Sequence, residues 1–406
     1  MVRAMRFLHT SDWHLGRSLH RTDLRDAQSR FLDHLVETAR EQQVDAVLIA
    51  GDIYDRAVPP VDAVALCEDA LVRLRDTGAR VIVISGNHDS ARRLGFSSAL
   101  IDASGVHLRT RPSALADPVV LDDGDGPVAI YGVPYLEPAI GLPAPGAENP
   151  VAESDPSARR PRSHEAILRE AADRIRADAA RRRAARTVML AHVWAHGGDP
   201  SESERDISVG DRGSSGDSSV GGLGHVPLSV FDAFSYVALG HLHGQQVLAE
   251  NIRYSGSPLP YSFSEKAHKK GTWLVDIDRD GKVRAERVPA PVFRRLSELS
   301  GRLDDLLRSR EYTDYEGDFI AVTLTDTQRP DRAMERLRLR FPHILTLEFK
   351  PAGVTPDGRR YGEKVAGKDD LAIAAEFVQH VRNGPPTPGE RQLLASAFEA
   401  ARAEVR

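Results

Sequence analysis

Short β-branched runs that stop abruptly on glycine, and then on metal-ligating side chains, constrain this chain more than any other feature. Val47-Leu48-Ile49-Ala50 leads into Gly51-Asp52, and Val81-Ile82-Val83-Ile84 leads into Ser85-Gly86-Asn87-His88-Asp89. Such a run reads as a buried parallel strand, and glycine lets the backbone turn sharply at its C-terminal end. Three further runs end alike. Phe7-Leu8-His9-Thr10 precedes Asp12-Trp13-His14, Val188-Met189-Leu190-Ala191 ends on His192, and Val237-Ala238-Leu239 ends on Gly240-His241-Leu242-His243. Open α/β sheets bind ligands at the carboxyl ends of their strands. Asp, Asn and His gathered at five such ends point to a metal site.

The composition excludes other classes. At 406 residues the chain is long enough for two or three domains, and 41% apolar with 28% charged residues describes an ordinary globular protein. No apolar stretch approaches the roughly 20 residues that cross a bilayer. No charged and then apolar leader precedes the first strand, so no secretory signal is expected. The single Cys67 excludes an intrachain disulfide framework and fits a reducing, cytoplasmic setting. It shares a helical apolar face with Ala63, Ala70 and Leu74, which makes it structural, not nucleophilic. A net charge of -5 argues against coating nucleic acid by bulk charge but leaves room for a local basic groove.

Strand and helix patterns alternate from residue 5 to about 285. Helices are predicted over 23–42, over 61–76 behind Pro59-Pro60, and over 163–186. This is βαβ material with a parallel core. The later strands, near 119–121, 128–133, 253–255 and 272–278, read as a second, mixed sheet, so the expected fold is α/β, a two-sheet sandwich flanked by helices. Arginines outnumber acids between 159 and 186; either a solvated helix face or a nucleic-acid-facing edge accounts for them. The Pro/Ala/Gly-rich stretch 141–163 reads as an exposed loop, and the Gly/Ser/Asp-rich stretch 196–224 as a mobile insertion, bordering the site or ordinary.

We expect the sandwich to occupy 1–288, a small α+β domain 289–352, a linker 353–369, and a helical hairpin 370–406. In the hairpin, Leu371, Ala374, Val378 and Val381 form one seam, and Leu394, Ala397, Phe398 and Ala401 a second stripe. Thr387-Pro388-Gly389-Glu390 reads as a capping box between them. So small a hairpin cannot bury both stripes alone; it docks on its own protein or on a partner helix.

Imidazole, carboxylate and amide ligands without thiolate favour Mn²⁺, Fe²⁺, Zn²⁺ or Mg²⁺. Asp12, His14, Asp52, Asn87, His192, His241 and His243 exceed what one four-coordinate ion takes. Two ions bridged by one carboxylate account for them, an arrangement suited to phosphoester cleavage.

Asp-x-His, Gly-Asp-x-x-Asp, Gly-Asn-His-Asp, a strand-end His and Gly-His-x-His, in this order, resemble the calcineurin-like metallophosphoesterases. The phrases His9–Gly16, Gly51–Asp55, Ser85–Ser90 and Tyr254–Pro258 are most similar to the bacterial nucleases of the SbcD kind, which partner an SbcC-type ATPase. The resemblance is strong over 5–280 and looser beyond. It implies that Asp12, His14, Asp52 and His243 hold one ion, and that Asp52, Asn87, His192 and His241 hold the other. His88 would donate to the phosphate or leaving oxygen, Asp89 would orient His88, and Asp55 would back a ligand imidazole. Ser257, Lys266, Lys269 and Lys270, with Arg17 and Arg92, would form a rim for the DNA backbone; the alternative is a turn with solvated lysines.

The resemblance also implies a Mn²⁺-dependent DNA nuclease with 3′-to-5′ exonuclease action on duplex ends and endonuclease action on single strands and hairpins. It implies a homodimer within a heterotetramer, a DNA-capping role for the small domain, and a hairpin that grips the coiled-coil ATPase. No Gly-x4-Gly-Lys-[Ser/Thr] loop is present, so ATP hydrolysis is not expected of this chain itself. The competing readings are a phosphodiesterase or phosphatase for small nucleotides or phosphoproteins, and a non-catalytic DNA-end scaffold.

Overall fold

The computed structural model describes residues 4–143, 163–204, 225–352, 368–382 and 384–404. Most of the stretches read as exposed loop, mobile insertion and linker therefore lie outside the described residues. The described chain divides into two units, meeting in sequence at Phe293 and Arg294.

The first unit is a sandwich of two six-stranded sheets. In the first sheet, Met5–Thr10, Ala46–Ala50, Arg80–Ile84 and Val106–Arg109 run parallel, in that spatial order. In the second, Ile252–Tyr254, Tyr236–Gly240, Arg186–His192 and Pro127–Val133 run parallel. Phe7, Leu48, Ile82, Ile130, Leu190 and Ala238 meet between the two sheets. The outer face of the first sheet packs on Arg25–Glu41 and Val61–Asp76 through Phe31, Leu35, Ala70 and Leu74. The outer face of the second packs on His164–Arg182 through Ile167, Ala171 and Ile175. Both faces of every central strand are thus covered, which is why these strands read as continuous apolar runs.

One sequence expectation fails here. Gly271–Ile277 belongs to the first sheet, pairing antiparallel with Met5–Thr10 in the register Phe7↔Val275, and Val283–Pro289 pairs beyond it. On His164–Arg182, Arg169, Arg174, Arg176, Arg181 and Arg182 each pair with a carboxylate on their own helix. Cys67 is buried with Ala63, Ala70 and Leu74, and burial pushes its thiol up to about 12, which leaves it inert.

In the second unit, Leu296–Gly301, Phe319–Leu324 and Ile344–Phe349 form a parallel sheet. Leu303–Arg308 and Ala333–Arg340 cross over between them, and Leu306, Val322, Leu337 and Phe341 fill the core. The hairpin helices Asp370–Arg382 and Pro388–Glu404 follow. The capping box forms: Glu390 N donates to Thr387 Oγ1 at 3.3 Å, and Thr387 N donates to the Glu390 carboxylate at 2.7 Å. The seam is only half-buried at Leu371, Ala374 and Val378; Val381, Ala397 and Ala401 are exposed. Among the described residues, no helix is long and apolar enough to cross a membrane.

Candidate metal centre

Three of the five ligand phrases leave their strands through a strained turn. Asp12 (φ 53°), His14 (φ 45°), Asp52 (φ 49°) and His241 (φ 106°) have left-handed backbone, which costs a non-glycine residue about 1–3 kcal/mol and persists only where the surroundings enforce it. Here neighbouring strand ends enforce it: Asp12 N donates to Gly51 O and His14 N to Asp52 O, both at 3.0 Å. Two glycines permit this closeness. A Cβ on Gly51 would strike the His192 ring, and one on Gly86 the Asp52 carboxylate.

Asp52 sits at the middle. Its Oδ1 accepts from the His88 N–H at 2.9 Å. Its Oδ2 lies 3.5 Å from His14 Nε2 and 3.5 Å from His192 Nε2, a bridging position between two groups of ligands. In one group His14 Nε2 faces His243 Nε2 at 3.1 Å, and Asp12, His14 and His243 each bring a ligand atom within 4.8 Å of the others. In the other, Asn87 Oδ1 lies 2.8 Å from His192 Nε2 and 3.2 Å from His241 Nδ1. Asp12, Asp52 and His192 gather to the same tolerance, so Asp12 reaches toward both groups. All seven sequence-predicted ligands thus converge. Asn87 is half-buried and the other six are buried.

The electrostatics suit cations. Burial drives His14 and His241 well below the ordinary histidine value, which keeps both imidazoles neutral, the form that ligates. Burial alone would raise Asp52, yet the neighbouring imidazoles, His192 first, hold it well below the usual carboxylate range. Burial likewise works against a charged His192, and the Asp52 charge overrides it, raising His192 to about 9. His192 Nδ1 donates to the Ala50 carbonyl at 2.9 Å, so its Nε2 is the atom turned toward Asp52 and Asn87. The proton at His192 Nε2 is the one an ion would displace, and oxygens of Asp12, Asp52 and Asn87 gather beside it. Divalent cations satisfy such a donor set, and the residues fit two of them.

The calcineurin-like phosphoesterase family model matches residues 5–245. The chain belongs to that family. It is a metal-dependent phosphoesterase whose His/Asp clusters suit two divalent ions. The SbcD-type resemblance is also supported beyond the sandwich: the SbcD C-terminal family model, described as the Type 5 capsule protein repressor C-terminal domain, matches residues 292–382. Among solved structures, TT1561 of Thermus thermophilus is 15% identical, covers 71% of this chain and 99% of its own, and gives a TM-score of 0.38. A dimetal phosphatase from Danio rerio is 14% identical, covers 71% and 96%, and gives 0.40. At these TM-scores neither likeness bears on the activity.

Around the phosphoesterase centre, several residues take roles other than those expected. Asp89 does not touch His88. Its carboxylate accepts from the backbone N–H groups of Ile53, Tyr54 and Gly86, tying the second ligand loop to the third. The group that orients His88 is the Asp55 carbonyl, which accepts from Nδ1–H at 2.8 Å. The Asp55 carboxylate stands 4.0 Å from His14 Nδ1, too far for a hydrogen bond, and 3.7 Å from Arg17 Nε. Ser257 and Lys270 are withdrawn from the rim. Ser257 is fully buried and donates to Leu259 O, and the Lys270 ammonium is turned inward onto Ser257, Glu265 and the His243 carbonyl. Lys266, Lys269 and Arg92 are exposed. Arg17 is half-buried, over the Tyr261 ring at 4.9 Å, and donates to Ser203 O at 2.9 Å.

Sequence reasoning missed Glu265, Ser203 and Glu204. Glu265 Oε1 lies 3.3 Å from His243 Nδ1, Ser203 Oγ joins the two, and Glu204 accepts from His243 N at 2.7 Å. The one available signal was general: a ligating imidazole needs an outer carboxylate. Nothing in the spacing says which of the many acids it is.

Proposed function

We propose that this phosphoesterase is a Mn²⁺-dependent DNA nuclease of the SbcD kind. It acts as a 3′-to-5′ exonuclease on duplex ends and as an endonuclease on single strands and hairpins, in the cytoplasm with the nucleoid. The observation that carries this reading is the joint match of the phosphoesterase and SbcD C-terminal models to one chain, over 5–245 and 292–382. Two ions bound by Asp12, His14, Asp52, Asn87, His192, His241 and His243 would supply Lewis-acid stabilisation of the charge that builds on the phosphoryl oxygens. His88 works beside them. Its Nδ1 is committed to a carbonyl that can only accept, so a proton given to the leaving oxygen departs from Nε2. Arg17, Arg92, Lys266 and Lys269 are the candidates for holding the DNA backbone.

The proposed partners have supporting features too. Phe377 (57% exposed) and Leu393 (72%) leave apolar surface on the hairpin, in keeping with a coiled-coil ATPase as its partner. Val58, Val61, Phe96 and Leu100 are exposed near a groove of about 640 Å³, in keeping with a homodimer.

The test is digestion by metal-stripped protein reloaded with Mn²⁺, Mg²⁺, Fe²⁺ or Zn²⁺. A hairpin-capped duplex, a cyclic nucleotide and a phosphopeptide are the substrates. Cleavage of the hairpin with Mn²⁺ is expected, with duplex cutting gated by the ATPase when it is added. Turnover of the cyclic nucleotide or phosphopeptide alone would discard the DNA reading and leave the phosphoesterase intact.

A further inference from the structure

Every polar atom of His243 has a partner. Its N–H donates to Glu204, its carbonyl accepts from Lys270 Nζ at 2.9 Å and from Ser257 N at 3.2 Å, and its Nε2 faces His14 Nε2. The remaining atom, Nδ1, opens on a buried chain of side chains. Ser203 Oγ touches both His243 Nδ1 and Glu265 Oε1, and Glu265 Oε2 is paired with Lys270 Nζ. Glu265 is 1% exposed and Ser203 7%.

The direction of each hydrogen in this chain follows from what its ends can do. An ammonium only donates and an ionised carboxylate only accepts. Lys270 therefore donates to Glu265, and Ser203 must give its one hydrogen to Glu265. The Ser203 oxygen is left as an acceptor; Ser201 Oγ, 2.9 Å away, gives its hydrogen to Glu204 at 2.7 Å, so the donor to Ser203 is the N–H at Nδ1 of His243. With the ring proton at Nδ1, the Nε2 lone pair points at His14.

We propose that Glu265, fixed by Lys270 and read through Ser203, is a positioning residue that sets the tautomer of His243 and so readies Nε2 as a metal ligand. This rests on the two-ion centre described above and not on the identity of the substrate. It accounts for a buried Lys–Glu pair behind one ligand, whose lysine the sequence reading offered to a DNA rim or a solvated turn.

Glu265→Gln tests it. The amide must present its oxygen to Lys270, so its NH₂ turns toward Ser203. Ser203 then donates to Nδ1, and the ring proton moves to Nε2, where it blocks the ion. Glu265→Gln/Lys270→Met removes the demand: the amide oxygen is free to face Ser203 and the Tyr261 N–H, which in the native protein lies 3.2 Å from Glu265 Oε1. The ring proton returns to Nδ1.

The measurements are Mn²⁺ binding by calorimetry, and two-bond ¹⁵N–¹H correlations of His243 in metal-free, histidine-labelled protein, with wild type alongside. In Glu265→Gln, one of two ions should bind about 10–100-fold more weakly, with the proton on Nε2. The double variant should regain most of that affinity, with the proton on Nδ1. Ser203→Ala should lose least, because Glu265 Oε1 can take the Nδ1 proton directly. Unaltered Mn²⁺ binding and an unaltered tautomer in Glu265→Gln overturn the proposal. So does a double variant as weak as the single one, which would reduce the pair to packing; that comparison stands even where the single variant folds poorly. Wild-type protein that binds no Mn²⁺ would instead refute the metal centre itself.

Discussion

The two groups of ligands around Asp52 are built by different means. On the His192 side, the ring is oriented by main chain, Nδ1–H donating to the Ala50 carbonyl at 2.9 Å. On the His243 side, the ring is oriented by side chains, through Ser203, Glu265 and Lys270. A carbonyl is always an acceptor and arrives with the strand, whereas a buried ion pair must be assembled from distant sequence and desolvated. One group is therefore as robust as the sheet that carries it. The other can be tuned or lost one side chain at a time.

The largest expected effect erases the distinction. Asp52→Ala removes the carboxylate between the two groups, so metal analysis should find both ions lost and phosphodiesterase activity at background. Retention of one tightly held ion would show that the groups are independent, not joined at Asp52. Next, Gly86→Ala forces a methyl into the Asp52 carboxylate, and should weaken both ions together while the fold survives in circular dichroism. His88→Ala separates chemistry from ligation: both ions should remain by metal analysis, with kcat lower by about 10²–10⁴-fold.

The smallest effect sets a baseline for an imidazole buried apart from the ligands. His164 is 5% exposed, and burial lowers it from the ordinary 6.5 to about 4. The folded state therefore favours the neutral ring. The unfolded chain binds the extra proton between these values, so stability is full above pH 6.5 and falls as the pH drops toward about 4. In urea unfolding, His164→Gln should reduce the pH slope in that window by up to about 1.4 kcal/mol per pH unit. An unaltered slope would place the acid sensitivity elsewhere.

Much of the centre was legible because it depends on local grammar. A β-branched run, a glycine and a ligand lie together in sequence, and the parallel sheets carry Asp12, Asp52, Asn87, His192 and His241 to one place. Relations made across the chain were not legible. The resemblance had Asp89 orienting His88, but the turn aims its carboxylate at the 53–54 backbone. Lys270 sits among Lys266 and Lys269, which suggested a solvated rim, but the chain turns its ammonium inward onto Glu265. Left-handed backbone at Asp12, His14 and Asp52 carries no composition signal, since glycine is the usual marker for it. The partner of Gly271–Ile277 was missed because nothing near that strand names the distant strand it will join.

That pairing has a kinetic consequence. Met5–Thr10 is synthesised long before one of its two neighbours, Gly271–Ile277. Until that segment emerges, the first strand presents an open edge of unpaired N–H and C=O groups. Closing so long a loop late makes the first sheet slow to complete and vulnerable to edge-to-edge association on the ribosome. A chain truncated before residue 271 should therefore aggregate even though every candidate metal ligand is present in it.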